Sequence, residues 1–271
     1  MVKNSLLLGL LLLLASVAPA QQRIVSLSGA ISEMLCALSL EPQIAGVDIT
    51  SNYPVSLLQK PKVGHNRTIS AEGVLALRPT LVLGIQGEMK PEVVAQITAA
   101  KVKVQLFAPA YDADGTRRLL QEVSTATGTT AKAAALRATF DKQITALKIK
   151  PLNKKVLFIY ARGTGSMTVS GTGTALDHMI TLAGAKNAIT EFSQFKPLSA
   201  ESLVAANPDV ILMFDSGLQS VGGPEGLAGV QGIAVTNAGR NKKIVSMDGQ
   251  FLSGFGLRLP AAIDELYKKL Q

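Results

Sequence analysis

The chain holds one cysteine, Cys36, in 271 residues. A single thiol excludes an intramolecular disulfide, a cysteine-rich zinc site, a C-x-x-C redox pair and a C-x-x-C-H haem attachment. Charge is also sparse, at 17% of residues. The basic excess, a net +8, is dispersed, with nothing longer than doublets such as Lys154-Lys155 and Lys242-Lys243. Nucleic-acid binders concentrate such charge in a patch or stripe, so no nucleic-acid partner is expected. A dispersed excess serves solubility and mildly favours anionic ligands. There are two histidines and no G-x-S-x-G elbow, which leaves little material for a hydrolytic triad. No G-K-[ST] exists for a P-loop. Gly163-Thr164-Gly165 and Gly171-Thr172-Gly173 start like dinucleotide loops, yet Thr168 and Leu176 stand where the last glycine belongs. An enzyme is not the expectation, and a secreted hydrolase is the disfavoured alternative.

What is present suits a folded, exported protein. Hydrophobic residues make up 47% of the chain, with 24 glycines and 12 prolines, enough for one large domain or two ordinary ones. Lys3 precedes an apolar run at 6–15 and then Ala18-Pro19-Ala20, the pattern of a secretory leader with an A-x-A cleavage site. Ten apolar residues are too few for a bilayer, which needs about 20. Residues 1–20 are therefore expected to be removed after Ala20, leaving a periplasmic protein.

Beyond the leader, β-branched runs alternate with helical stretches. Residues 23–27, 81–84, 102–107, 156–161, 210–214 and 243–247 read as strands, and 32–40, 91–100 and 174–183 as helices. This alternation predicts an α/β fold with mainly parallel sheets and covering helices. The chain also repeats itself. Residues 70–83 and 199–212 share Ser, Ala, Glu, Ala, Pro and Leu at six equivalent positions. In each copy a serine (Ser70, Ser199) can cap a helix, a glutamate (Glu72, Glu201) meets the helix dipole, and a proline (Pro79, Pro208) ends the helix before a strand. Two copies 129 residues apart imply two similar lobes, 21–128 and 149–271. The Ala-rich stretch 129–148, free of glycine and proline, predicts one long inter-lobe helix, with Thr129 or Thr130 as its cap and Pro151 beyond its end. Two lobes on one helix leave a cleft, the default place for a ligand.

This combination resembles the substrate-binding proteins of bacterial ABC importers, in the helix-linked class that serves vitamin B12, ferric siderophores and haem. Arg23-Ile24-Val25-Ser26-Leu27 with Ser32-Glu33 is similar to the opening of that class. Three segments resemble its haem branch. Val63-Gly64-His65-Asn66-Arg67-Thr68-Ile69-Ser70-Ala71-Glu72-Gly73 is similar to VGYxRxLSAEG, residues 169–177 to AGxxTAAD, and Met247-Asp248-Gly249 with Gly254-Phe255-Gly256 and Arg258 to MDG…GFGPR. The resemblance implies haem (hemin) as a non-covalently bound, transported ligand, with a corrinoid or a ferric siderophore as the alternative. It also implies a permease dimer with its ATPase as partner, an outer-membrane haem receptor system upstream, and a monomer.

The site residues follow from the same motifs. His65 stands where the haem branch has its tyrosine ligand, and imidazole is itself a standard haem ligand; the plainer reading is a surface histidine. His178 is expected to pack or cap. Arg67, Arg162 and Arg258 are the candidates for the propionates, through charge-assisted hydrogen bonds. Gly171 and Thr172 are expected to let a flat ligand approach the backbone. Met167 is either a second iron ligand or an apolar filler. Tyr53 and Tyr160 are rival ligands. Glu72 and Glu201 are expected to dock onto permease arginines, or else only to stabilise their helices.

Overall fold

The computed structural model describes residues 22–65, 68–109 and 111–271. Residues 1–20, the expected leader, and Arg67 lie outside them. Among the described residues no helix is long and apolar enough to cross a membrane.

The first lobe is built on four strands, β1 (Ile24–Ser26), β2 (Ile44–Val47), β3 (Leu81–Ile85) and β4 (Lys103–Phe107), in the order β2-β1-β3-β4. Every pair is parallel. Parallel neighbours need crossovers, supplied by the helices Gly29–Ala37, Ala71–Leu75 and Pro91–Ala99. β1 and β3 are buried throughout, so their apolar residues serve both faces in alternation. Ile24, Leu81 and Leu83 enter one core cluster, and Val25 and Val82 another.

The second lobe holds β5 (Lys155–Ala161), β6 (Met167–Ser170), β7 (Lys186–Asn187), β8 (Phe195–Pro197), β9 (Val210–Phe214) and β10 (Ile244–Met247). Their order is β10-β9-β5-β6-β8, with β7 on the start of β5. β10, β9, β5 and β7 pair in parallel, whereas β6 runs antiparallel to both β5 and β8. β5 shows the same division of labour: Val156 and Phe158 face one core cluster, Leu157 and Ile159 the other.

The sequence repeat is a structural repeat. Ser70 Oγ accepts from Gly73 N at 3.1 Å and starts Ala71–Leu75. Ser199 Oγ accepts from Ser202 N at 3.1 Å and starts Ala200–Ala206, with Ser202 Oγ returning the bond to Ser199 N. The likeness extends to the backbone. Arg78 and Asn207 both turn left-handed, at φ 48° and 38°, just before the repeated proline. A left-handed residue ends a helix, and asparagine tolerates it better than arginine does.

The inter-lobe helix is Thr130–Ala146, 17 residues, which span roughly 25 Å at 1.5 Å per residue. Thr129 sits at its N-cap without accepting a side-chain capping bond. Its hydroxyl is paired instead with that of Thr127 at 2.9 Å. Only Ala133 and Phe140 are buried on this helix. It packs on Ala113–Ala126, a helix the sequence left unassigned, as it did the C-terminal helix Leu259–Leu270. Arg117 ties the first two together, giving one hydrogen bond of 2.6 Å to Asp141 and one of 2.6 Å to Asp114. The Asp141 bond is the main reason its guanidinium is held above the usual arginine range. One apolar cluster runs from Ile31 and Leu83 of the first lobe, through Leu119 and Phe140, to Phe158, Leu212 and Leu266 of the second. The lobes thus share a core, and each buried side chain of this kind contributes about 1.5–3 kcal/mol.

Candidate functional site: the inter-lobe cleft

A cavity of about 1000 Å³ lies between the lobes. Most of its lining follows the carboxyl ends of parallel strands: Ser28 to Ala30 after β1, Ile49 to Asn52 after β2, Ile85 on β3, Pro109 after β4, Phe214 to Ser220 from β9, and Asp248 to Gly254 after β10. Open α/β sheets place ligands there because loops, not ladder hydrogen bonds, occupy that edge. The walls mix apolar surface (Ala30, Ile49, Ile85, Leu119, Phe214) with many polar groups, among them the acids Glu88, Asp215 and Asp248.

His65 lines this cleft from the first lobe. It follows Gly64, whose φ of +103° suits a residue without a Cβ. The loop is pinned on both sides: Ile49 N donates to Gly64 O at 3.0 Å, and Thr68 N to His65 O at 2.7 Å. Beneath it lies a buried polar network. Asp48, 1% exposed, accepts from Ser51 Oγ, Thr50 N and Thr50 Oγ1, and Ser51 is bonded through Ser32 to Ser26. The network fixes the turn that brings Ile49, Thr50 and Asn52 to the cleft. His178, by contrast, does not line it. Its ring packs on Tyr111 at 5.4 Å between centroids, as the sequence reading expected.

Arg162 lines the cleft from the second lobe, in the turn between β5 and β6. Its Nε donates to Tyr160 Oη at 2.7 Å. Ser220 holds the same turn, accepting from Gly163 N at 2.9 Å.

Four other residues expected at the ligand are placed elsewhere. Arg258 does not line the cavity. Its Nε and backbone N both bond Glu33, at 2.7 and 2.9 Å, and its guanidinium lies 3.7 Å from the Tyr53 ring centroid. Glu33 belongs to the first lobe and is 6% exposed, so Arg258 neutralises a buried carboxylate across the lobe junction. Tyr53 is the platform beneath it. Gly171 and Thr172 also lie off the cleft. A Cβ on Gly171 would sit 2.3 Å from Phe192 O. Gly171 N and Thr172 N bond the 192–194 segment at 2.8 and 2.9 Å. The close backbone approach is real, and the loop segment 192–194 makes it. Met167, on β6 opposite Ala161, packs half-buried against the second-lobe core. That is the filler role. Arg67 falls outside the described residues. Glu72 and Glu201 are both exposed and make no ion pair among the described residues.

The cleft also holds residues the sequence did not single out. Tyr111 lines it; burial, and next the charge of Glu88, push its phenol above the usual range. Gln250 spans the lobes: its Oε1 accepts from Asn52 N at 2.7 Å and Tyr53 N at 3.0 Å, and its Nε2 donates to Gly29 O at 3.1 Å. It directly follows the Met247-Asp248-Gly249 motif, which was its available signal. Tyr111 has no local signal at all.

Residues 24–251 match the family profile described as periplasmic binding protein. Among solved structures the chain is similar to the periplasmic heme-binding protein RhuT from Roseiflexus sp. RS-1, with 38% identity, a TM-score of 0.87 and coverage of 93% of this chain and 98% of that one. It is also similar to the periplasmic heme-binding protein BhuT in complex with two hemes, with 37% identity, a TM-score of 0.85 and coverage of 92% and 97%. By sequence, the vitamin B12-binding protein of Salmonella typhi is 26% identical over 196 residues, 72% of this chain and 73% of that protein. With two lobes on a helical link, a cleft at the strand ends and this match, the chain belongs to the periplasmic binding protein family, a family of binding proteins and not of enzymes.

Proposed function

We propose that the protein captures haem in the inter-lobe cleft and delivers it to the permease dimer of an ABC importer. The observation that carries this is His65, a histidine lining a cavity of about 1000 Å³ whose walls mix apolar and polar side chains, at the top of the roughly 300–1,000 Å³ range of small-molecule sites. A porphyrin offers broad apolar faces, which suit Ala30, Ile49, Ile85, Leu119 and Phe214. Its iron needs a Lewis base, which suits imidazole. Its propionates need cations, which suit Arg162 and, from the motif, Arg67. The similarity to two heme-binding proteins at 37–38% identity supports the same cargo.

The remaining parts of the reading follow. Residues 1–20 act as a leader cleaved after Ala20, giving a periplasmic monomer of two lobes, 21–128 and 149–271, on the link 129–148. Glu72 and Glu201, exposed at matching positions of the two lobes, dock onto cationic permease residues. Exposed ion pairs contribute only about 0–1 kcal/mol each, so this pair orients the complex more than it tightens it.

Titration of the purified mature chain with hemin tests the cargo. A Soret band that saturates at a fixed stoichiometry, and survives excess cobalamin and ferric siderophore, is the expected result. The vitamin B12-binding relative favours a corrinoid as the second reading, and displacement of hemin by cobalamin at equal concentration would establish that reading instead.

A further inference from the structure

We propose that the second lobe binds an anionic lipid surface through the edge of its sheet opposite the cleft, where the fold gathers six lysines. The contact is independent of what the cleft carries.

The basic excess is dispersed along the sequence, and the fold collects part of it. Parallel strands all start at one edge of a sheet, and the cleft takes the other edge. Lysines stand at the starts. Lys154 and Lys155 are at the start of β5, Lys186 at that of β7, and Lys242 and Lys243 lead into β10. Lys155 is the direct partner of Lys186. On its other side, Asp209 N donates to Lys155 O at 2.8 Å, and Ile211 N to Lys243 O at 3.1 Å. The row crosses β10, β9, β5 and β7, three strand spacings or roughly 15 Å. Lys150 joins it, because Leu152 N donates to Gly184 O at 2.6 Å just ahead of β7.

These charges are available. Lys150, Lys155, Lys186 and Lys242 are exposed, and Lys154 and Lys243 partly so. None of the six makes an ion pair with an acidic side chain among the described residues. Lys155 Nζ donates to Ala206 O, and Lys154 Nζ to Leu270 O and to the terminal Gln271. Asp209 is the one acid at these strand starts, and it is taken by Lys155 N at 2.8 Å and Asn237 Nδ2 at 2.9 Å. Asp177 and Glu191 share a cavity with Lys155 and Lys186, yet they accept from Asn187 Nδ2 and Thr190 N at 3.0 and 3.1 Å. The cleft edge has the reverse balance, with Glu88, Asp215 and Asp248 against Arg162 in its described lining.

Six lysines without an arginine suit a diffuse layer of charge. An ammonium is a compact point charge, whereas bidentate capture of a single phosphate uses the guanidinium fork. Single-stranded nucleic acid would call for stacking aromatics, and none stands in this row. A bilayer with anionic headgroups supplies such a layer, and each lysine near it strengthens binding about fivefold. The choice of lipid rests on the export reading, which puts the chain between lipid surfaces. Held by this edge, the protein keeps its cleft free.

Co-sedimentation of the purified mature chain with vesicles tests this. Vesicles of phosphatidylglycerol and phosphatidylcholine in equal parts should bind it, and phosphatidylcholine alone should not. Salt should release it by screening. Lys186→Gln with Lys242→Gln should lower the partition coefficient roughly 25-fold, about fivefold for each charge. Lys90→Gln with Lys196→Gln removes the same net charge from exposed positions outside the row, and should change it by less than about twofold. Unchanged circular dichroism shows that both double variants fold. Equal losses in the two would mean attraction by net charge with no dedicated face, and would overturn the proposal. Release by inorganic phosphate beyond that by chloride at equal ionic strength would give the lysines to free phosphate instead. Tighter binding to duplex DNA than to the anionic vesicles at the same salt would make the partner a nucleic acid, and sink the lipid assignment.

Discussion

The two lobes start from the same unit and end with different chemistry. Each has a capping serine, an exposed glutamate, a left-handed residue before proline and a buried strand, at 70–83 and at 199–212. The first lobe stops at four parallel strands. The second adds the antiparallel strands β6 and β8, and with them the turn that carries Arg162. The residues facing the cleft come from the parts that are not repeated: His65 and Ile49 to Asn52 on one side, Tyr160, Arg162 and Phe214 to Ser220 on the other. The repeated unit supplies the exposed carboxylates Glu72 and Glu201, proposed above to dock onto the permease, and the unrepeated loops line the cleft. Between the lobes, Gln250 and the Arg258–Glu33 pair fasten one to the other.

This contrast can be broken at several points. The largest stability effect belongs to the junction. Arg258→Ala strands Glu33 as a buried charge, and losing one partner of such a pair costs about 3 kcal/mol. Denaturant unfolding should show that loss, while hemin affinity of the folded protein changes little. A large loss of affinity with unchanged stability would return Arg258 to the propionates.

Next comes docking. Glu72→Arg with Glu201→Arg should abolish stimulation of the importer's ATPase and leave hemin titration unchanged, since like charges would then meet across the interface. Loss of hemin binding with transport per bound haem preserved would assign the carboxylates to the cleft.

Gly171→Ala forces a Cβ onto the Phe192 carbonyl, 2.3 Å away. Overpacking of this kind costs about 1–3 kcal/mol. The melting temperature should fall with no change in the haem spectrum, because the contact is with protein and not with ligand.

The smallest effect is at Thr116, whose hydroxyl donates to Phe255 O across the lobes at 2.9 Å. Thr116→Val should cost about 1 kcal/mol, measurable by denaturant unfolding and invisible to ligand binding.

These variants also mark what the sequence could and could not disclose. The strand at 210–214 was legible to the residue because its run is short, wholly apolar and set off by Pro208. The inter-lobe helix was legible from composition. His65 was legible only through its motif position. Gly171 announced a close approach, yet nothing local said that Phe192 makes it. Arg258 announced an anion, yet its partner Glu33 lies 225 residues away. β2 and the short strands β7 and β8 carry no period to read, at four, two and three residues. For Gly171 and Arg258 the structure thus shows protein partners, distant in sequence, where the motifs suggested a ligand.

The central claim is that the first lobe meets the iron through His65. Hemin titration of His65→Ala beside His65→Tyr and His178→Ala tests it most directly. The account predicts a weakened complex and a shifted Soret band for His65→Ala, binding restored with a phenolate-type spectrum for His65→Tyr, and a wild-type complex for His178→Ala. A His65→Ala complex with wild-type affinity and spectrum would contradict it.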